Sequence, residues 1–494
     1  MQSSLKLYEY IPKIPKTISK EITLTNTEEK IFSFLLSNNQ TNTTFRVAGG
    51  WVRDKLLNLP SSDLDITLDN ITGQEFKDIL IKNNSSIIKE KKNSNSKSSH
   101  LQTATINLFN LDIDLNNLRK ETYHQNNRVP EISKGTPLED ALRRDITINT
   151  LFYNINTKKI EDFTKSGIHD LENGIINMPK SPQISFNEDP LRMIRVIRFA
   201  TRFQFKIKDE IIEAFNEKNL NLFGNIISNE RIEKELSLIM EKKYSYSSVF
   251  LLFKLGLLKY ILKFEDEKIF INNDDLINCV NIILISNYLI NDNNNNFFEI
   301  NYDNNNNNKI LNYSLFTAPL RKYEFVNKKN SKEIGSKIYL NKVLKLNNNF
   351  VNEIVNLISH INNIQKIINK NNFNRLEIGL LMKKIKFNNF KKILFLCVCD
   401  EYINNENQII EFINKEKINK ILFNYKQMFD YVIKEKLENI FELKPLIDGK
   451  TLKKELNLNN NQIGNFLNLL IEEQIKNPSI NKDEAINILK NKIN

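Results

Sequence analysis

An α+β fold is predicted, with a mixed α/β head over residues 45–175 and an all-helical remainder reaching residue 494. Two observations predict it. Between residues 45 and 175 the short apolar runs FRVAGG, LDITLD and LFNLDIDLN alternate with helical patterns. From about residue 185 the segments PLRMIRVIRFATRF, NERIEKELSLIM and YSSVFLLFKLGLLKYIL carry helical periodicity, and strand signals become scarce.

Taken in order, residues 1–44 read as a leader followed by an amphipathic helix, TEEKIFSFLLSN, with Thr27 as its N-cap. Gly49 and Gly50 end the first strand and open a helix from Trp51 to Leu57. Residues 83–100, NNSSIIKEKKNSNSKSSH, form a polar loop or hairpin region inside the head. Arg143, Arg144 and Asp145 stand together ahead of an apolar helical run in TPLEDALRRDITINTLFYNI. Helical segments then occupy 176–250 and 251–440, and a compact helical piece closes the chain over 441–494. The Asn-rich stretch NDNNNNFFEINYDNNNNNK, residues 291–309, is low-complexity and reads as a disordered loop between helices.

At 494 residues, two to four domains are expected, and 40% hydrophobic content supplies a real core. No run approaches eighteen apolar residues, which excludes a helical membrane span. The net charge of +11 points to an anionic partner, with nucleic acid the first candidate. Three cysteines, Cys279, Cys397 and Cys399, make neither a disulfide framework nor a zinc site and read as buried thiols in a reducing compartment. The N-terminus has no secretory apolar region, and a stretch free of Arg up to Arg46 makes a poor transit peptide.

Strand alternation in SDLDIT puts Asp63 and Asp65 on one face. Two carboxylates this close repel unless a cation sits between them, and hard divalent ions such as Mg²⁺ take carboxylate and phosphate oxygens. Alone, a D-x-D is more often a solvent-exposed strand edge. Its company changes the balance. Gly49 and Gly50 let backbone approach a phosphate at a helix N-terminus. Arg53 on the first turn can reach that phosphate, and Asp54 can orient Arg53 or cap the helix. Together these describe a two-metal nucleotidyl-transfer site of the polymerase type. A third carboxylate is sought on a neighbouring strand, where NLDIDLNN offers Asp112 and Asp114 on one face; Asp114 is the candidate.

Arg143 and Arg144 suit triphosphate or primer phosphate, and Asp145 suits a ribose hydroxyl. Further on, NEDPLRMIRVIRF brings Asp189 within a turn of Arg192. With Pro190 at a first helical position, Asp189 read by itself is more often an N-cap.

The motifs GGWVRD, DLDI, LRKETY, GTPLEDALRRDITINTLFYNI, GIHDLENG, EDPLRMIRVIRFATRFQF and ERIEKEL follow one another as in class II tRNA nucleotidyltransferases, the CCA-adding enzymes. The resemblance is to the eukaryotic type, runs from about 45 to 240, and resumes more weakly at PLIDGKTLKKELNL and GNFLNLLIEEQIKNPSINKDEA. It implies a polymerase-β-like nucleotidyltransferase head, then neck, body and a tRNA-binding tail. Departures are Ile146 and Thr150 where the family often has Phe and Ala, and NLNNNQIG where a Pro-Gly turn is common. No HD hydrolase motif is evident.

The resemblance implies template-independent addition of CCA to tRNA from CTP and ATP, with Mg²⁺ as cofactor and no obligate protein partner. Asp63 and Asp65 would hold the metals; Gly49, Gly50, Arg53, Arg143 and Arg144 would meet the triphosphate, and Asp145 the ribose. Glu188, Asp189 and Arg192 would read the base. An aspartate only accepts and an arginine only donates, so the pair matches the amino group and ring nitrogen of cytosine and adenine and mispairs with uracil and guanine. Arg119, Glu121 and Tyr123 would begin a flexible loop used in switching from C to A. Arg231 and Glu235 resemble a motif bracing the neck, their plainer role being an intrahelical ion pair. His169 is not required as a base beside two metals, and Asp170 reads as a hinge or loop anchor. The compartments open to such an enzyme are cytoplasm, mitochondrion and nucleus. A poly(A) polymerase of the same superfamily, or an RNA-binding protein without catalysis, are the alternatives, and full versus partial CCA addition stays open.

Overall fold

The computed structural model describes residues 18–61, 63–84, 89–90, 103–122, 130–264, 270–291, 296–298, 300, 305–326, 330–370, 372–404 and 406–492. The chain divides into two compact units, Met1–Ile239 with Ser247–Ile261, and Met240–Tyr246 with Leu262–Asn494.

In the first unit, α1 (Asn26–Ser37) is capped by Thr25, not Thr27, because Thr25 and Glu28 form a reciprocal capping box. Strand β1 (Phe45–Ala48) leads to α2 (Gly50–Leu56), then β2 (Leu64–Leu68) and α3 (Gly73–Asn84). Next come β3 (Lys89–Glu90), β4 (Ala104–Leu108) and β5 (Leu111–Asn117). LFNLDIDLN is therefore not one strand. Phe109 and Asn110 both adopt positive φ, 52° and 63°, and fold the run into a two-residue hairpin between β4 and β5.

A small separate ladder pairs β6 (Arg119–Thr122) with β7 (Glu131–Lys134). After α4 (Pro137–Leu142), β8 (Phe152–Asn154) and β9 (Lys159–Glu161) rejoin the main sheet. The run after Asp145, expected as helix, is thus a 3-10 turn at Thr147–Asn149 followed by strand. Its Phe152 and Tyr153 are aromatic and fully covered, which suits an inner strand better than a helix.

The seven strands are ordered β3-β4-β5-β2-β1-β8-β9, with β2 and β5 parallel and the other neighbours antiparallel. Register sorts the side chains. Phe45, Val47, Ile66, Ile113 and Leu115 share one apolar face, against which Phe76 of α3 and Phe32 of α1 pack through ring contacts with Phe45 and Tyr153. The opposite face carries Arg46, Asp65, Thr67, Asp114 and Asn116. One side of the sheet is core and the other is chemistry.

Beyond the head, α5 (Gly167–Glu172), α6 (Pro182–Glu188), α7 (Arg192–Phe203), α8 (Asp209–Glu213), α9 (Glu217–Ile226) and α10 (Asn229–Met240) follow. The remainder is not wholly helical. Ile175–Ile176 pairs with Lys206–Ile207, and in the second unit Glu324–Val326 pairs with Lys332–Ile334.

The second unit packs Asn273–Asn291, Asn305–Thr317 and Phe387–Ile403 around buried Ile282, Tyr313 and Phe395. The end of the Asn-rich stretch, read as loop, is helical from Asn305, because Asn308 is buried and the adjoining Ile310, Leu311 and Tyr313 supply an apolar face. Residues 292–295, 299 and 301–304 of that stretch lie outside the described residues. Cys279, Cys397 and Cys399 are buried and unpaired, and burial pushes each thiol well above its ordinary value. At the C-terminus, helices Gly449–Leu456, Ile463–Lys476 and Lys482–Lys490 enclose Leu452, Leu470 and Leu489. In NLNNNQIG, which stands where the family commonly has a Pro-Gly turn, Asn457 takes the left-handed cap position at φ 50°. No described helix is long and apolar enough to cross a membrane.

One substitution should act with opposite sign at two glycines. A Cβ at Gly73 would lie 2.2 Å from the Leu115 carbonyl oxygen, whereas nothing lies within 4 Å at Gly464. Gly73→Ala should destabilise by about 1–3 kcal/mol, and Gly464→Ala should stabilise by about 0.5–1 kcal/mol. Thermal unfolding followed by circular dichroism checks both.

Candidate active site

The parallel register of β2 and β5 sets Asp65 directly beside Asp114, and Asp63 stands just before β2. Thr105 Oγ1 donates to Asp114 at 2.6 Å, and Asn107 holds Asp112 at 2.7 Å. Burial, then Asp114 and Asp63, push the Asp65 carboxyl above its ordinary value, with Arg144 and Asn116 working against them. Asp65 and Asp114 lie side by side with Asp63 nearby, and carboxylates offer oxygen donors only. That set fits a hard divalent cation, not zinc or copper. Among the described residues no group of three or more His, Cys, Asp or Glu is placed to hold a metal ion.

Gly49 caps α2 with φ 75°, and a Cβ there would come within 2.6 Å of Arg144 Nη1. Glycine is thus demanded by conformation, and an added Cβ would also displace the Arg144 guanidinium. Gly50 begins the helix. Arg53, expected at a phosphate, is only 3% exposed. It pairs with Asp54, donates to the Asn149 side chain, and stacks on Phe203 and Phe199 at 4.7 and 5.4 Å from the ring centroids. Asp54 in turn accepts from Arg202 at 3.2 Å. Arg53 therefore fastens α2 onto α7 instead of standing out towards solvent.

Asp140, fully buried, is gripped by Arg143 at 2.6 Å and Arg144 at 2.9 Å. Burial would raise its carboxyl, but the two guanidiniums hold it below the ordinary value. Both arginines also border a cavity that contains Asp65.

Asp145 is likewise engaged inside the protein. Its Oδ1 accepts from the Ile146 N–H and from Asn149, and its Oδ2 accepts from Arg195 Nε and Nη2 at 2.9 and 2.6 Å. Burial opposes the charge, yet Arg195 and these hydrogen bonds bring the carboxyl from 3.8 down to about 2. Arg195 continues to Glu235 at 2.9 Å, and Glu235 to Arg198 at 2.6 Å. Glu235 consequently braces α10 against α7, and Arg231 bonds Asp189 at 2.8 Å; neither makes the intrahelical pair that spacing allowed.

Glu188 pairs with Arg192 at 3.0 Å and with Lys180 at 2.6 Å. Arg192 also donates to the Arg143 carbonyl at 2.7 Å, which ties α7 to the end of α4. Asp189 is not within α7. It ends α6, its Oδ1 accepts from the Leu191 N–H and its Oδ2 from Arg231. Asp189 is therefore not the N-cap of α7, a position that Leu191 takes without a side-chain cap. Arg119 and Arg143 both pair with Glu121, at 3.1 and 3.5 Å. Tyr123 lies outside the described residues. His169 is largely exposed, whereas Asp170 is buried and accepts from Thr147 and Asn177, anchoring the 3-10 turn.

Asp140, Asn149, Arg195 and Arg198 were not singled out in the sequence. The arginines carried a signal: a residue every third position, Arg192, Arg195 and Arg198, along an otherwise apolar helix. Asp140 and Asn149 carried none, because their partners come from packing.

Residues 45–177 match the poly A polymerase head domain family. Over 95% of this chain and 94% of its own length, the mitochondrial CCA tRNA nucleotidyltransferase of Saccharomyces cerevisiae is 30% identical. The chain belongs to the class II tRNA nucleotidyltransferases, the CCA-adding enzymes. The tRNA nucleotidyltransferase cca2 of Schizosaccharomyces pombe is 29% identical over 94% of this chain and 98% of its own. The fold is shared with the Thermotoga maritima CCA-adding enzyme solved with tRNA, at a TM-score of 0.61 and 18% identity over 99% and 98% of the two chains. CCA-adding enzymes generally use divalent metal ions.

The depressed Asp145 carboxyl has a consequence for stability. Its contribution is fully present above the unfolded-state pKa near 3.8 and is lost as pH falls through about 2. That contribution is worth about 2 kcal/mol. Unfolding free energy measured from pH 5 to 2 should fall less steeply in Asp145→Asn than in the wild type.

Proposed function

We propose that the polar face of the head sheet and the start of α7 together add and repair the 3′-terminal CCA of tRNA from CTP and ATP. The observation that supports this most is the pairing of Asp65 with Asp114 in a head joined to the Glu188–Asp189–Arg192 element. The RNA 3′-oxygen bonds to the α-phosphorus of the nucleotide as the bond to pyrophosphate breaks, and the hydroxyl proton passes to water.

Asp63, Asp65 and Asp114 would hold divalent cations, Mg²⁺ being our assignment, which supply charge neutralisation and a more acidic 3′-hydroxyl. Gly49 and Gly50 present backbone to the triphosphate, and Arg143 and Arg144 supply positive charge beside it. Arg53 acts by keeping α2 seated on α7. We assign the ribose to Asp145 together with its partner Arg195. Glu188 fixes the Arg192 guanidinium, so that Arg192 donates and Asp189 accepts along the Watson–Crick edge of cytosine or adenine. Arg119 and Glu121 are assigned to the switch from C to A addition, and Arg231 and Glu235 to bracing α7.

The segment 441–494 is proposed to hold tRNA through shape and phosphate charge, in keeping with a net charge of +11. We infer service to mitochondrial tRNA, supported by the mitochondrial relative in S. cerevisiae, alongside cytosolic and nuclear pools.

The deciding experiment offers tRNAs ending before CCA, after C and after CC, with Mg²⁺ and CTP, ATP or both, and sequences the 3′ ends. Addition that completes CCA and stops is expected. Addition of only C-C or only A would overturn the full activity, and long A tails would make the enzyme a poly(A) polymerase.

Asp63→Ala or Asp65→Ala should lower addition by about a thousandfold or more while tRNA binding persists. Rate and gel-shift assays check this, and near-normal rates would remove the metal assignment. Arg192→Ala should relax the choice of CTP and ATP over UTP and GTP by about tenfold or more, read from single-turnover competition.

A further inference from the structure

Asp140 is fully covered, yet its two partners reach the surface: the Arg143 and Arg144 side chains are 17% and 18% exposed. They follow Asp140 by three and four positions, the spacings at which a helix brings side chains together. Arg143 Nε and Nη2 donate to Asp140 Oδ1 at 2.9 and 2.6 Å. Arg144 Nε and Nη2 donate to Oδ2 at 3.2 and 2.9 Å. One carboxylate thus holds two guanidiniums by the same edge, and its Oδ1 also accepts from the Arg119 backbone N–H at 3.3 Å.

This grip leaves Nη1 as the outer end of each fork. In Arg143 it lies 3.5 Å from Glu121. In Arg144 it donates to the Asn149 carbonyl at 3.3 Å and lies against the Gly49 turn, while the Phe152 ring supports the guanidinium from 5.2 Å. A guanidinium on a flexible stem otherwise samples many orientations, and two of them side by side repel. We propose that Asp140 is a positioning residue for nucleotidyl transfer, acting by holding Arg144 in the orientation that meets the triphosphate at the Gly49–Gly50 turn. This rests on the assignment of Arg144 and those glycines to the triphosphate above.

Charge and geometry make opposite demands at this carboxylate, and the sign of its effect separates them. A buried anion beneath two cations removes positive charge from a site that takes a polyanion. On Coulomb's law alone, neutralising it should tighten nucleotide binding. Its hydrogen bonds act the other way. An amide of the same shape accepts through its oxygen and donates through its nitrogen, so it keeps one arginine and faces the other donor to donor. The released arginine is then ordered only when nucleotide arrives, and binding weakens by the cost of ordering it.

Calorimetric titration of the full-length protein with CTP and Mg²⁺, without tRNA, reads nucleotide affinity directly. Initial rates with a tRNA ending before CCA read the reaction. Asp140→Asn should weaken CTP binding and raise the KM for CTP about tenfold, equivalent to about 1.4 kcal/mol, with the KM for tRNA within about twofold. Added to Arg144→Ala, which leaves no Arg144 to position, Asp140→Asn should change CTP affinity by less than about twofold, whereas independent effects would multiply. Tighter or unchanged CTP binding in Asp140→Asn overturns the proposal. So does a multiplied loss in the double variant, or a rise in the KM for tRNA equal to that for CTP. Should Asp140→Asn not fold, Arg144→Lys decides: it keeps the charge but lacks the two-nitrogen edge that Asp140 grips, and CTP affinity equal to wild type overturns the proposal. A wild-type protein that binds CTP and adds no nucleotide would overturn the CCA-adding reading, and the CTP affinities would still decide the role of Asp140.

Discussion

The ion chain Asp145–Arg195–Glu235–Arg198 is the constraint on which the candidate site depends. Asp145 and Glu235 are each under a tenth exposed. Charges withdrawn from water this far persist only when geometry satisfies them, and removing one partner strands the others. The chain links the segment after α4 to α7 and α7 to α10. Arg192 lies one turn before Arg195 on that same helix, so the position of its guanidinium is inherited from a buried salt bridge. The stronger the internal pairing, the more fixed the start of α7.

A second device reinforces the first. Arg53 joins α2 to α7 through Asn149 and the rings of Phe199 and Phe203. Guanidinium on aromatic rings adds attraction that survives burial. The helix that Gly49 and Gly50 open is thus tied directly to α7.

Much of the head was legible in the sequence because its signals are local. The apolar runs of β1 and β2, the Gly49–Gly50 turn and the Asp63–Asp65 spacing each depend on residues within reach of one another. The hairpin inside LFNLDIDLN was not legible, because Phe109 is an unusual turn residue and the run of apolar positions on either side masks the break. The strand Phe152–Asn154 was missed for a different reason: a short, fully buried strand has no alternation to display. In the site, Asp140, Arg195 and Arg198 were not singled out, and for the residues that were, some engagements were not legible. Arg53 and Asp145 carry the right charge for a ligand, and only packing reveals that Asp54, Asn149 and Arg195 already hold them. The cap at Thr25 shows the same limit at a smaller scale, since two threonines two residues apart compete and the Glu28 side chain decides.

The turn at Phe109 and Asn110 joins β4 to β5 with two residues and no slack. Because side chains alternate along a strand, adding or losing one residue there would put β4 out of phase with β5, and Thr105 would no longer face Asp114. The length of this turn, more than its residue types, therefore decides whether the Asp114 carboxylate keeps the hydroxyl that holds it.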